Sequence, residues 1–374
     1  MRFRADRDSL LEAVTTASRA ATARSGLSTG VAGLQLSVRG DKLEVVGSDP
    51  DLVIEARCAV SGDSDGSALV PSRLVSDIVR SFESGVVNVA GGEDEVRFSS
   101  GHAEFNVRVA IGAEITRLGV PESEGIKIPA GDFGDGLRQV VRAALSDDSR
   151  APQLTGVLME ATEHGLRLTA TDSYRLAFRD FAGMSVLEPE SHVLVPAKAL
   201  VEVGRLVSGV KDDADAELTF RYSDLDAVFD LPAVRITTRL LRGPFPDVQR
   251  LVPPSFEHVL SVRREEFGAA LRRVRLLVRD SKDITTPVRL SLREGSVELA
   301  VLTPESGRAV ETLKGDYSGG EVMVAFNPTY LLDGVEALKA DTMQLKITDP
   351  GKPALVSGEG EDDYKYLLMP VKVS

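Results

Sequence analysis

The chain repeats itself, and the repeat limits what it can fold into more than any other feature. The phrase "ALVPSRLVSDIVRSF" begins at Ala68, returns as "VLVPAKALVEVGRLV" from Val193, and returns more loosely as "VMVAFNPTYLLDGVEAL" from Val322. A second phrase recurs alongside it: "MRFRADRDSLLEAV" from Met1, "GIKIPAGDFGDGLRQVV" from Gly125 and "HVLSVRREEFGAALRRV" from His258. Copies lie roughly 125 to 130 residues apart, too far for a solenoid unit and right for one small domain. Each phrase reads as a strand running into a helix, which predicts two helices per repeat and about six in all. The stretches "LGVPESEGI" (118–126) and "VPPSFE" (252–257) lack periodicity and read as breaks. The predicted domains are therefore 1–118, 125–251 and 256–374.

Short alternating runs fill the intervals, such as "LQLSV", "LEVVGS" and "VVNVA" in the first repeat, "LRLTATD" and "VRITTRLL" in the second, and "PVRLSLR" and "MQLKITD" in the third. Strict alternation implies sheets with one buried face, and the helices are available to cover it. The fold class expected is α+β, with two helices packed on antiparallel sheet in each of three similar domains.

At 43% hydrophobic residues, each domain can bury a core. No apolar run approaches the roughly 18 residues needed to cross a bilayer, so cytosolic residence is the default and no membrane partner is expected. The single cysteine, Cys58, alternates onto the face of Leu52, Ile54 and Ala56 and reads as a packed thiol. The net charge of −13 argues against a nucleic-acid partner only in aggregate, because exposed charges beyond about 8 Å are screened at physiological salt. The basic residues are patterned on helices. Arg73 and Arg80 lie two turns apart, Lys198 and Arg205 take the same places in the next copy, and Arg138 and Arg142 are spaced i, i+4. Arg272, Arg275 and Arg279 form a further stripe, while Leu74, Ile78, Leu200 and Val203 are expected on other faces. Each stripe taken singly also suits an ordinary solvated face. The third copy departs from the pattern, with Pro328 and Val335 in place of the basic residues.

Enzyme signatures do not appear. There is no phosphate loop of the G-x-x-x-x-G-K-[ST] kind, no G-x-S-x-G elbow, and His102, His164, His192 and His258 show no metal-ligand spacing. No catalytic residue, metal or cofactor is expected.

Five phrases then carry a resemblance: "LTGVLME", "TATDSYRLA", "GPFPDVQRLVP", "AFNPTYLLDGVEAL" and the tail "YKYLLMPVKV". In this order and with all three repeats in register, the chain resembles the bacterial DNA sliding clamps, the β subunits of DNA polymerase III, and is most similar to actinobacterial forms. The resemblance implies a non-catalytic processivity factor whose two subunits close head to tail around duplex DNA, with helices lining the hole. It implies binding without regard to sequence, and partners that include the replicative polymerase, the clamp loader and other proteins bearing short peptides with a Gln and apolar anchors. Carried over by position, Arg24, Arg73 and Lys198 face DNA; Arg80, Arg138, Arg142 and Arg205 are added from the helix faces. The implied partner pocket uses Leu154, Thr171, Ser173, Tyr174, Arg175, Leu176, Pro246, Arg250, Leu251, Asn327, Tyr330, Leu367, Leu368, Met369 and Pro370. The implied joint sets Phe105 and Val107 of one subunit against Leu276 and Leu277 of the other, with Glu305 and Glu311 nearby. Ser173 and Tyr174 stand where many members have Gly and His, and "ARSGLSTGVAGL" (23–34) lacks the prolines common there. An accessory or inhibitor-tolerant paralogue, or a non-enzymatic interaction scaffold, remains the alternative.

Overall fold

The computed structural model describes residues 1–21, 32–92, 94–109, 115–146, 151–209, 213, 216–279, 286–304 and 306–372. Arg24, Glu305 and Ser374 lie outside the described residues. Both recurring phrases form strand and helix in all three copies. The helices are α1 (Arg7–Ser18), α2 (Ser72–Ser81), α3 (Ala130–Val140), α4 (Ala197–Ser208), α5 (Arg264–Val274), the short α6 (Leu276–Arg279) and α7 (Pro328–Ala337). The strands pair antiparallel throughout, in two compact units made of residues 1–131 with 205–240, and 132–204 with 241–374.

In the first unit a five-stranded sheet runs Ser61–Ser64, Arg2–Asp6, Val86–Gly91, Glu95–Ser100, Ala103–Arg108. Beside it, an eight-stranded sheet crosses the boundary between repeats, because Val234–Arg239 pairs with Leu52–Ala59 in the register Val234↔Ala56, Ile236↔Ile54, Thr238↔Leu52. The core joins Leu10 and Val14 of α1, Val75 and Val79 of α2, and Phe3, Leu36, Val45 and Phe98 of the sheets. The Asp6 carboxylate caps α1, accepting from the Ser9 backbone N–H at 3.0 Å, and that bond lowers its pKa. Cys58 is half-buried against this core; burial, with Glu12 adding to it, pushes its thiol up to about 11. That thiol stays protonated at neutral pH. Leu74, expected on a face other than that of the arginines, stays outward with them. It is 49% exposed on the same outward face as Arg73, because Val75, Ile78 and Val79 already fill the inward stripe of α2.

The second unit is built on a nine-stranded sheet that again ignores the repeat boundary. Arg175–Ala182 pairs with Tyr364–Leu368 in the register Arg175↔Leu368, Leu176↔Leu367, Ala177↔Tyr366. A four-stranded sheet ends on Gly307–Lys314, at eight residues the longest edge strand among the described residues. Helices α5 and α7 pack together, burying Phe267, Leu271, Leu331 and Val335. Pro328, odd beside the basic residue of the other copies, has a structural reason. It opens α7 behind the Asn327 cap, whose carbonyl oxygen accepts from the N–H groups of Thr329 and Tyr330 at 2.9 and 3.2 Å.

Candidate functional site

The turn between the strands Gly165–Thr171 and Arg175–Ala182 is fixed by its own side chains. Thr171 Oγ1 accepts from Ser173 N at 3.1 Å and donates to Arg175 O at 2.7 Å. Asp172 Oδ1 accepts from the N–H groups of Tyr174 and Arg175, both at 2.9 Å, and Oδ2 accepts from Arg175 Nε at 3.0 Å. Ser173 is thereby held at φ 75°, in the left-handed region. The Arg175 guanidinium then reaches Asp333 of α7 at 2.5 Å and lies 4.2 Å from the centroid of the Tyr330 ring. Burial opposes its charge, but Tyr366, Asp333 and Asp172 outweigh burial and raise its pKa. The tail is tied to the same turn by Met369 N donating to Tyr174 O, and to the strand Val322–Phe326 by Val371 N donating to Ala325 O, each at 2.8 Å.

Those constraints leave a groove of about 250 Å³ with a mostly apolar wall. The turn contributes Thr171, Ser173, Tyr174, Arg175 and Leu176; the facing segment contributes Pro246 and Leu251; the tail contributes Leu367, Leu368 and Met369. Three large apolar side chains stand exposed around it: Tyr174 at 63%, Leu251 at 50% and Met369 at 42%. Exposed apolar residues gathered at one concavity are the kind of surface a docking site uses. Val248 and Pro353 line the groove too and escaped the sequence reading, since nothing in either residue's local pattern sets it apart. The wall does not include Leu154, Arg250, Asn327, Tyr330 or Pro370. Leu154 is 8% exposed in the turn Pro152–Thr155, Asn327 is spent on capping α7, and Tyr330 serves as the platform for Arg175. The Arg250 side chain is 90% exposed, next to Asp247. Leu367 and Leu368 prove to be core-strand residues as well as groove walls, at 3% and 0% exposure.

Arg73, Arg80, Arg138, Arg142, Lys198 and Arg205 are all exposed. Several are committed to carboxylates: Arg80 to Asp77 at 3.0 Å, Arg138 to Asp135 at 3.0 Å, and Arg142 to Asp333 and Glu336 at 3.3 and 3.0 Å. Arg272 of the further stripe meets Glu336 at 2.9 Å. Arg73 makes no ion pair among the described residues.

Two sheet edges complete the inventory. Phe105, 39% exposed on the edge strand Ala103–Arg108, makes an edge-to-face contact with Phe82 at 5.7 Å. Val107 lies on the same strand face as Phe105 but is covered there by the core at 3% exposure, opposite the buried Val96, so it offers that edge only its backbone. On the other unit Leu276 is 58% exposed and Leu277 half-buried, while Glu311 of the edge strand Gly307–Lys314 accepts from Arg273 Nη2 at 2.6 Å. That bond lowers the Glu311 pKa. Among the described residues no group of three or more His, Cys, Asp or Glu could hold a metal ion, and no helix is long and apolar enough to cross a membrane.

Family models for the DNA polymerase III beta subunit match in sequence along the chain: the N-terminal domain over residues 1–118, the central domain over 127–247 and the C-terminal domain over 249–372. The chain belongs to the bacterial DNA sliding clamps. The beta sliding clamp of Streptomyces coelicolor is 34% identical over 390 aligned positions spanning all of both chains. The crystal structure of the Bacillus subtilis DNA polymerase sliding clamp superposes with a TM-score of 0.85 at 27% identity, covering 100% of each chain. A sliding clamp from Bartonella birtlesii bound to griselimycin gives 0.87, also at 27% identity and full coverage of both. The three-domain clamp fold and the function of a DNA sliding clamp follow for this chain. Members are non-catalytic processivity subunits of DNA polymerase III, which accounts for the missing enzyme signatures.

Proposed function

We propose that two copies of this clamp join head to tail into a closed ring around duplex DNA, with domains bounded at 1–118, 125–251 and 256–374. Two open sheet edges carry the reading. Ala103–Arg108 and Gly307–Lys314 each end a sheet with unpaired backbone groups, an arrangement that invites pairing with another chain. Pairing one edge with the other on a second copy leaves the converse edges free to pair in the same way, which closes a two-fold assembly. Phe105 and the exposed Leu276 beside these edges supply apolar surface to bury, with Leu277, Glu305 and Glu311 at the joint.

Exposed cations on α2, α3 and α4 favour contact with phosphate and no base readout, so binding is independent of sequence and weakens with salt. Arg24 joins Arg73, Arg80, Arg138, Arg142, Lys198 and Arg205 in this role. The apolar groove takes the peptides of the replicative polymerase, the clamp loader and other partners in the cytoplasm, and Met369 at its rim adapts to different anchors. Light scattering tests the ring: a dimer at micromolar concentration is expected, loosened when Leu276 and Leu277 are both replaced by Ala. A stable wild-type monomer at that concentration overturns the assembly.

A further inference from the structure

A second cavity of about 490 Å³ lies against the same sheet face as the partner groove. Strand register relates the two. One row across the sheet is Thr171, Leu176 and Leu367, which belongs to the groove. The next row on that face is Leu158, Thr169, Phe178 and Lys365, and the row after it His192, Glu160, Arg167 and Asp180. Successive same-face rows are about 7 Å apart, the rise of two residues of extended chain. Pro246 and Val248 border both cavities, so the two lie side by side along this face.

The charges in this space are unevenly matched. Arg167 is taken by Asp180 through two hydrogen bonds, at 2.6 and 2.8 Å. Glu160 stands between Arg167 and His192 in register, and Asp247 lies 3.7 Å from Arg250. Lys365 makes no ion pair among the described residues; its Nζ sits 5.8 Å from the centroid of Phe178. The middle row therefore offers an apolar floor and an uncommitted ammonium, whereas Glu160 repels an anion one row further on.

We propose that this cavity is a second subsite of the partner groove, taking the carboxylate of an acidic residue two positions beyond the apolar anchor of the same bound peptide, held over Phe178 by Lys365. The proposal rests on the groove being the peptide site. An extended peptide anchored against Leu176 reaches the Phe178–Lys365 row with its second following residue, and lands on Glu160 with its fourth. A partly exposed charge pair of this kind strengthens binding by about threefold to fivefold.

Calorimetry on the full chain tests this with the acetylated, amidated peptide Gln-Ala-Leu-Leu-Phe and with forms extended after Phe by Gly-Glu or Gly-Gln, which set the added side chain two positions beyond that anchor. The Gly-Glu form is expected to bind about threefold to fivefold more tightly than the parent, and the Gly-Gln form is not. Lys365→Ala is expected to erase the gain while leaving the parent peptide's affinity unchanged, and moving the Glu two residues outward is expected to erase it as well. If the parent binds and the Gly-Glu form does not gain, or the gain survives Lys365→Ala, the subsite is overturned and the groove stands. If the parent fails to bind, the groove reading falls and takes the subsite with it.

Discussion

At the scale of single residues, the groove rests on a strained turn. A side chain in the left-handed region costs about 1 to 2 kcal/mol relative to glycine, and Ser173 at φ 75° bears that cost. Ser173→Gly is therefore expected to stabilise the protein by about 0.5 to 1 kcal/mol, part of the relief being offset by glycine's greater unfolded freedom. Ser173→Val places a β-branched residue there and is expected to lose about 1 to 2 kcal/mol and weaken binding of the parent peptide. Urea unfolding checks both, and a Gly variant less stable than wild type contradicts the strain. The sequence showed Ser at this turn, but not that the backbone there is left-handed, since the Thr171 and Asp172 side chains enforce it. Val107 shows a related limit: alternation puts it on the same face as Phe105, but how much of that face the core covers depends on the partner strand, where the buried Val96 stands opposite Val107.

At the scale of elements, α7 explains what the repeat alone left odd. The positions that carry basic residues in the other copies, Pro328 and Val335, are buried here, while Asp333 and Glu336 hold arginines from elsewhere: Asp333 binds Arg142 and Arg175, and Glu336 binds Arg142 and Arg272. Periodicity displayed Arg142 but not the carboxylate it meets, Glu336, which lies nearly two hundred residues along the chain. Burial pushes the Glu336 pKa up, but hydrogen bonds from Arg142 and Arg272 prevail and leave it below the ordinary 4.5. A depressed carboxylate contributes stability that is present above its unfolded pKa and lost as pH falls through the folded one. The stability difference between wild type and Glu336→Gln is thus expected to hold steady from neutral pH down to about 5 and to shrink below 4.5. Denaturant midpoints for both proteins across that range give the answer; a difference that ignores pH places Glu336 outside the network.

At the scale of the whole molecule, the repeat, the strand-to-helix phrases and the helix pairs were all legible, because each is local and recurs. The sheets that run through the repeat boundaries were not, because pairing Val234 with Ala56 or Leu176 with Leu367 is a long-range choice that no window of sequence displays. A ring holds DNA by encircling it, so its retention depends on whether the DNA has ends. The most direct measurement loads the protein with a clamp loader onto nicked circular plasmid, passes it through gel filtration, and repeats the run after a restriction enzyme has linearised the DNA. Retention on the circle and loss from the linear form are expected. Replacing Arg73 and Lys198 by Ala is expected to weaken direct DNA affinity and flatten its salt dependence by about one unit of slope per contact, with the ring intact. Equal retention on circular and linear DNA with free ends contradicts encirclement.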